Sequence, residues 1–458
     1  MARIAVIGAG VSGLAVGFEL RERGLAPEDM LVLEAADRPG GNIRTDREEG
    51  FAFEWGPNGF LDNSPPTLGL VTRLGIEDRL LPSRESSAIR FIFRAGRLHE
   101  VPTGPPGIFG TKLLSIGGKL RIFQEPFVPR GGHPSESVYD FAARRIGDEA
   151  ARVMVDAMVS GVYAGDAKRL ELRAAFPRMA ELEARYGGLV KALFAIRKEK
   201  KREGAKSSGP AGPGGRLTSF TGGMEDLIEA LAAKLGGSLR TGAPVRALSR
   251  EGREWKIEIE GREAVRAETV VLSCPAVAAG RLVGGVDREL ASLLEAIPSA
   301  SIAVVATAYR KEDLERAPHG FGFLVPRGEG PRILGCLWTS SIWGERRAPE
   351  THVLLRSMVG GAHDPVAVDL PDEELLAIVA RDLQAAMGLR AKPDIHRIFR
   401  YRRGIPQYEP GHTARLDEIR ARLAAQPGLH IAGNSYGGIS MNHCIAEAPG
   451  VAEAALGQ

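Results

Sequence analysis

Arg3-Ile4-Ala5-Val6-Ile7-Gly8-Ala9-Gly10-Val11-Ser12-Gly13 opens the chain, and the reading of this stretch decides the fold. The apolar run ending at Ile7 suits a strand buried on both faces. Gly8 permits the tight turn that follows, Gly10 lets backbone approach a pyrophosphate, and Gly13 lets the next helix pack close to the strand. Leu14, Ala15, Gly17 and Leu20 continue as that helix. A second apolar run over 30–33 ends at Glu34, where a carboxylate takes a ribose hydroxyl pair. Glycine-rich turns are common by themselves. Here strand, glycines, helix, second strand and terminal acid follow one another in the order that nucleotide binding requires.

Past Glu34 and Ala35 come the pair Gly40-Gly41 and the string Phe53-Glu54-Trp55-Gly56-Pro57-Asn58. A glycine pair just beyond an acid-ended strand suits a second close pass of backbone along an extended cofactor. NAD would not need it, so FAD is the expected cofactor. At the far end, 428–433 is a short strand closing on Gly433, followed by Asn434-Ser435-Tyr436-Gly437-Gly438-Ile439-Ser440-Met441-Asn442-His443 and a helix. Such a turn presents free amides, which would face the pyrophosphate and the flavin's pyrimidine edge and favour the anionic reduced ring.

With 458 residues, 44% of them hydrophobic, the chain can bury two or three cores. A net charge of +3 without a Lys/Arg stripe argues against nucleic acid as a partner. Cys274, Cys336 and Cys444 are odd in number and widely spaced, which suggests neither a disulfide framework nor a metal site. They read as buried thiols in a reducing compartment. No run reaches the roughly 18 apolar residues of a spanning helix, and the fingerprint begins too early for a targeting segment. A cytoplasmic protein is expected. The stretch 198–215 reads as a charged and then Gly/Pro/Ser-rich surface loop. A helix is expected over 226–235, strands over 239–248, 255–259, 268–274, 300–309 and 353–359, and mostly helix in the middle block, for instance 138–159.

The chain also resembles the oxygen-dependent protoporphyrinogen oxidases, within the wider amine-oxidase-like flavoproteins. Beyond the fingerprint, the likeness rests on Gly56-Pro57-Asn58, Ser160-Gly161-Val162-Tyr163-Ala164-Gly165-Asp166, Gly320-Phe321-Gly322-Phe323-Leu324-Val325-Pro326, Ile405-Pro406-Gln407-Tyr408 with Gly411-His412, and Gly433-Asn434 with Tyr436. The resemblance implies an α/β fold of the p-hydroxybenzoate hydroxylase type. It has a Rossmann-like FAD-binding domain (1–62, 216–290 and 412–458), a mixed-sheet substrate domain (63–90 and 291–411) and a helical membrane-associating domain (91–215). FAD contacts carried over are Gly8, Ala9, Gly10, Val11, Ser12, Gly13, Glu34, Ala35, Gly40, Gly41, Gly56, Pro57, Asn58, Val245, Tyr401, Ile439, Ser440 and Met441. Substrate contacts carried over are Arg90, Gly161, Leu324 and Trp343. Arg90 has the clearest chemistry, because a guanidinium holds a propionate bidentately. Tyr401 stands where many relatives have Trp, Trp343 where others have Phe or Met, His443 where an acid is usual, and Gly437 where a charge is usual.

The activity so implied is oxidation of protoporphyrinogen IX to protoporphyrin IX, six electrons in three rounds, with molecular oxygen as acceptor and peroxide as product. Coproporphyrinogen III is the alternative substrate, which would want more than one cationic clamp. A carotenoid desaturase relative comes third, and a non-catalytic FAD-binding redox sensor is the reading from another class. No Ser/His/Asp triad or carboxylate pair is present to nominate as catalytic. His412 reads first as a core histidine and second as a proton shuttle. Peripheral membrane contact, on the inner face of the cell membrane, is assigned to the stretches Pro105 to Phe109, Leu113-Leu114 and Phe123 to Val128 beside Lys112, Lys119 and Arg121. A buried core helix is the competing reading, and a homodimer is left open.

Overall fold

The computed structural model describes residues 2–202 and 215–457. Strand Ala2–Ile7 lies between Met30–Leu33 and Val265–Leu272, parallel to both. Period-2 alternation sends Ile4 and Val6 into one layer and Ala5 and Ile7 into the other. The first layer holds helices Val11–Glu22, Glu225–Leu235 and Met441–Leu456; the second holds Ala276–Val283, Arg288–Glu295 and His412–Ala424. Leu239–Arg240 and Leu429–Ile431 join the parallel part, while Val245–Glu251 and Glu254–Ile259 extend it as an antiparallel edge.

A second sheet of seven strands runs in the order Ile395–Pro406, Ser299–Arg310, His352–Gly360, Ile333–Leu337, Gly322–Leu324, Phe91–Arg94 and Arg97–Glu100. Helix Asp372–Met387 covers one face through Leu375, Val379 and Leu383. The opposite face, carrying Ile302, Val304 and Met358, looks into the cavity described below.

Two boundaries differ from the sequence reading. Helix Pro65–Leu74 buries Leu70, Val71 and Leu74 in the core of the first sheet, and Leu80–Pro82 pairs with Leu217–Phe220. Residues 65–82 pack on the core of the first sheet through this helix and Leu80, and Leu80–Pro82 lies in a separate small sheet with Phe60–Leu61 and Leu217–Phe220. Phe91–Arg94 and Arg97–Glu100 belong to the second sheet, so the helical region begins after Glu100. Within it, the pattern over 138–159 forms helices Val138–Ile146 and Asp156–Tyr163, broken at Gly147 (φ +93°) and followed by a π-helical turn over Ala151–Val155. Of the expected loop at 198–215, residues 198–202 form the last turn of the helix Leu189–Arg202, and 203–214 lie outside the described residues.

Candidate active site

Packing of the two sheets and the helical region leaves a continuous cavity of about 1320 Å³. One side of it is the nucleotide grip. Gly8 (φ +104°) turns the chain away from its strand, and Gly10 begins the first helix. A Cβ on Gly13 would stand 1.9 Å from the Gly8 carbonyl oxygen, so the turn closes only around glycine. Gly10 differs. A Cβ there meets no protein atom within 4 Å, and its φ of −69° is open to any residue. The protein itself leaves room for a side chain there, and the open space beside Gly10 belongs to the cavity. The Gly40 amide donates to the Ala9 carbonyl at 2.7 Å, drawing the glycine pair onto the fingerprint. Glu34 accepts from the amides of Ala9 (2.7 Å) and Ala36 (2.9 Å), which fixes its carboxylate at the strand end.

Of the expected cofactor residues, Gly8, Gly10, Val11, Ser12, Glu34, Ala35, Gly40, Gly41, Gly56, Pro57, Asn58, Val245, Tyr401, Ile439 and Met441 all face the cavity. Ala9 and Gly13 stand behind that wall and shape the turn. Ser440 stands off it too: its side chain caps the last helix, accepting from the His443 amide at 3.2 Å. The departures at Gly437 and His443 prove to be one feature. A Cβ on Gly437 would lie 2.4 Å from the His443 ring nitrogen, so the glycine makes room for the imidazole.

The other side of the cavity is apolar. Ile92, Ile108, Ile122, Ile146, Met154, Met158 and Val162 line it together with Phe321 and Leu324. Gly161 lets the helix Asp156–Tyr163 approach Leu324, whose Cδ2 lies 2.6 Å from where a Cβ would be. Arg90 is exposed in this wall, with its guanidinium 5.1 Å from the Phe321 ring centre. No carboxylate of the described residues pairs with it. Desolvation lowers its pKa, although arginine keeps its proton at any working pH.

Trp343 does not reach this chamber. It is 3% exposed in the core, where its ring sits against Gly59 and 5.7 Å from the Arg347 guanidinium. The helix Thr339–Trp343 packs beside the second sheet and turns the indole away from the cavity. His412 is also off the cavity wall. It is fully buried and stacked on Tyr408 at 4.3 Å, and desolvation pushes its pKa down to about 4. It packs as a core histidine, and both of its ring nitrogens are buried without a hydrogen-bond partner among the described residues.

Sequence reading missed Arg356. Arg356 lies within the strand His352–Gly360 and faces the cavity. An arginine within the largely apolar strand, which otherwise carries only His352 and Ser357 as polar residues, was the available signal.

FAD fits these residues. Besides the open space over Gly10, buried polar atoms on the cavity wall lack any partner among the described residues. They are Trp55 Nε1, the Asn58 side-chain amide, Ser273 Oγ, Arg356 Nε and Tyr401 Oη. Unpaired buried groups of this kind cost about 1–3 kcal/mol each, which a polar ligand offsets. Two glycine passes, a strand-end carboxylate and an apolar chamber on the same cavity define an FAD-dependent oxidoreductase.

The chain belongs to the flavin-containing amine oxidoreductase family, whose profile matches residues 11–456. It is 30% identical to a coproporphyrinogen III oxidase of Bacillus subtilis over 455 residues, covering 96% of this chain and 95% of the relative. It is 32% identical to the protoporphyrinogen oxidase of Bos taurus, covering 99% and 98%. A crystal structure from Exiguobacterium sp. 255-15, provisionally called a protoporphyrinogen oxidase, superposes with a TM-score of 0.85 at 26% identity, covering 100% of this chain and 99% of that one. Reduced UDP-galactopyranose mutase shares the fold, with a TM-score of 0.76 at 17% identity, covering 100% and 96%.

Proposed function

We propose that the protein oxidises protoporphyrinogen IX to protoporphyrin IX, reducing three molecules of oxygen to three of hydrogen peroxide. The observation that carries this reading is the cavity. At about 1320 Å³ it exceeds the ~300–1,000 Å³ that holds a single ligand, so it has room for a flat macrocycle beside FAD. When bound, FAD supplies the two-electron chemistry and the reaction with oxygen. The chain's own residues would orient the macrocycle and exclude water. Arg90, without a carboxylate partner, would take one propionate. Ile92, Ile108, Ile122, Met158 and Val162 would face the apolar edge of the ring, and Gly161 with Leu324 would set the depth of the slot. The likeness to the Bacillus subtilis relative favours a second reading, coproporphyrinogen III oxidation. Two further carboxylates would then need partners along that same apolar wall, which is why protoporphyrinogen comes first. Porphyrin fluorescence and peroxide, measured with both porphyrinogens, separate the readings: kcat/KM higher for protoporphyrinogen supports the first, the reverse supports the second, and no turnover of either overturns both.

We also assign peripheral membrane contact to the helical region. Phe109 (63%), Ile116 (78%), Leu120 (57%) and Phe127 (85%) are exposed, with Lys119 donating to the Phe109 carbonyl at 2.9 Å. Leu113 and Leu114 drop out of that surface because they are buried against Ile92 and Val153. Among the described residues no helix is long and apolar enough to cross a membrane. Flotation with anionic liposomes tests the assignment, and protein that stays wholly unbound at low salt overturns it.

A further inference from the structure

Arg356 is a buried cation for which the described residues provide no paired anion. Along the strand His352–Gly360, Val353, Leu355 and Val359 enter the core under helix Asp372–Met387, while Arg356 and Met358 face the cavity. Arg356 is 7% exposed. It donates to the carbonyls of Gly56 (2.5 Å) and Trp55 (3.3 Å), and its Nε–H has no acceptor. Glu54, whose field reaches it, is held by Arg347 at 3.4 Å, by the Met224 amide and by the Thr45 hydroxyl. Among the described residues the two other deeply buried arginines each have a carboxylate, although the Arg347 Nε also lacks an acceptor. Arg347 has Glu54, Ser219 and the Phe220 carbonyl, and Arg145 has Glu125 and Glu183.

A guanidinium keeps its charge even when burial lowers its pKa, as it does here. A buried charge without a partner is unfavourable, so an occupant that can take up negative charge beside it is favoured. The position of Arg356 says which occupant. It grips the backbone that leads into Pro57 and Asn58, and it lies within the electrostatic reach of Tyr401. These residues face the FAD side of the cavity, and both Asn58 and Tyr401 carry partnerless polar atoms. Arg90 belongs to another place, adjoining the strand Phe91–Arg94, three strands along the sheet and thus on the order of 14 Å away.

We propose that Arg356 is the fixed positive charge that stabilises the negative charge which reduction places on the isoalloxazine ring of FAD. The inference rests on FAD-dependent oxidation by this chain. A hydride carries two electrons and one proton, so it turns the neutral oxidised ring into a monoanion. The porphyrinogen left behind as a cation sheds an N–H proton to solvent. A cation held beforehand beside the ring favours that charge without having to reorganise.

The test uses the FAD-loaded protein, with Arg356→Met and Arg356→Lys normalised to bound flavin. Equilibration with a reference redox dye reads the flavin alone, without porphyrinogen, so it stands whatever the substrate proves to be. Arg356→Met should lower the equilibrium constant for flavin reduction by tenfold or more. Arg356→Lys should recover most of that, and KM for the porphyrinogen should shift by less than threefold in either variant. An unchanged equilibrium constant in flavin-replete Arg356→Met overturns the proposal, and so does a loss confined to KM, which would give the cation to a substrate carboxylate. If the Met variant emerges without flavin, the Lys variant decides: an equilibrium constant near that of the unmodified protein supports the proposal, and a tenfold fall overturns it.

Discussion

Around Gly8–Gly13 the cavity wall is backbone, and around Arg90 and Leu324 it is side chain. On the first side, turn geometry, paired strands and helix starts fix the surface, and the Glu34 carboxylate is held by two amides. On the second side, Ile, Met, Val and Leu side chains from several elements meet, with Gly161 setting one close approach. Backbone recognition suits a cofactor common to many relatives, because it leaves few side chains to vary. Side-chain recognition suits a substrate that distinguishes one relative from the next.

The largest effects should come from the two glycines that divide the first side into frame and cradle. Gly13→Ala puts a methyl into a backbone oxygen that cannot yield, so soluble folded protein should be lost. Gly10→Ala meets no protein atom, so the apoprotein should melt as before yet bind FAD at least a hundredfold more weakly, by flavin fluorescence titration. Equal melting losses in both would erase the distinction between frame and cradle.

On the second side, the helical region that supplies Ile122 and Ile146 to the wall contains a buried ion pair. Glu125 and Arg145 are both fully buried, with Nε to Oε1 at 2.8 Å, and Glu125 also accepts from the amides of Leu189 (2.8 Å) and Val190 (3.1 Å). Removing Glu125 leaves Arg145 with Glu183 at 3.2 Å as its remaining carboxylate, so Glu125→Ala should cost about 3 kcal/mol in urea unfolding, the low end for a broken buried pair. Burial alone would raise the Glu125 pKa, but Arg145 and those amides bring it below the usual value. Its contribution is therefore complete above the ordinary glutamate pKa and fades as pH falls through the lowered one. In Glu125→Gln that acid-dependent loss should disappear. An unchanged acid transition would show that the pair does not stabilise this region.

Smaller changes should touch substrate alone. Arg90→Ala should raise KM for protoporphyrinogen about tenfold, the lower end for a charge-assisted contact because Arg90 is exposed. Flavin content should not change. Gly161→Ala, which pushes on the movable end of Leu324, should raise KM a fewfold, again with full flavin. Flavin loss in either variant would contradict the division between the two sides.

The frame was legible in sequence because its requirements are local. A strand, three glycines and a terminal acid are consecutive, and no distant contact can substitute for them. The chamber was legible only through motif resemblance, since its wall gathers residues from the 90s, the 160s and the 320s. Trp343 shows the cost. Its motif was read correctly as a string, but helix Thr339–Trp343 turns the indole into the core, and no periodicity in five residues reveals that. Arg356 was missed for the opposite reason. It lies in no motif, and its meaning appears only once its neighbours prove to offer no carboxylate.

The central claim is that FAD and a porphyrinogen share this one cavity and exchange electrons there. Rapid mixing of the FAD-loaded protein with protoporphyrinogen IX in the absence of oxygen tests it most directly. The oxidised-flavin absorbance should bleach in a single turnover, and admitting oxygen should restore it with release of peroxide and porphyrin fluorescence. Flavin that stays oxidised with protoporphyrinogen and with coproporphyrinogen alike would contradict the account.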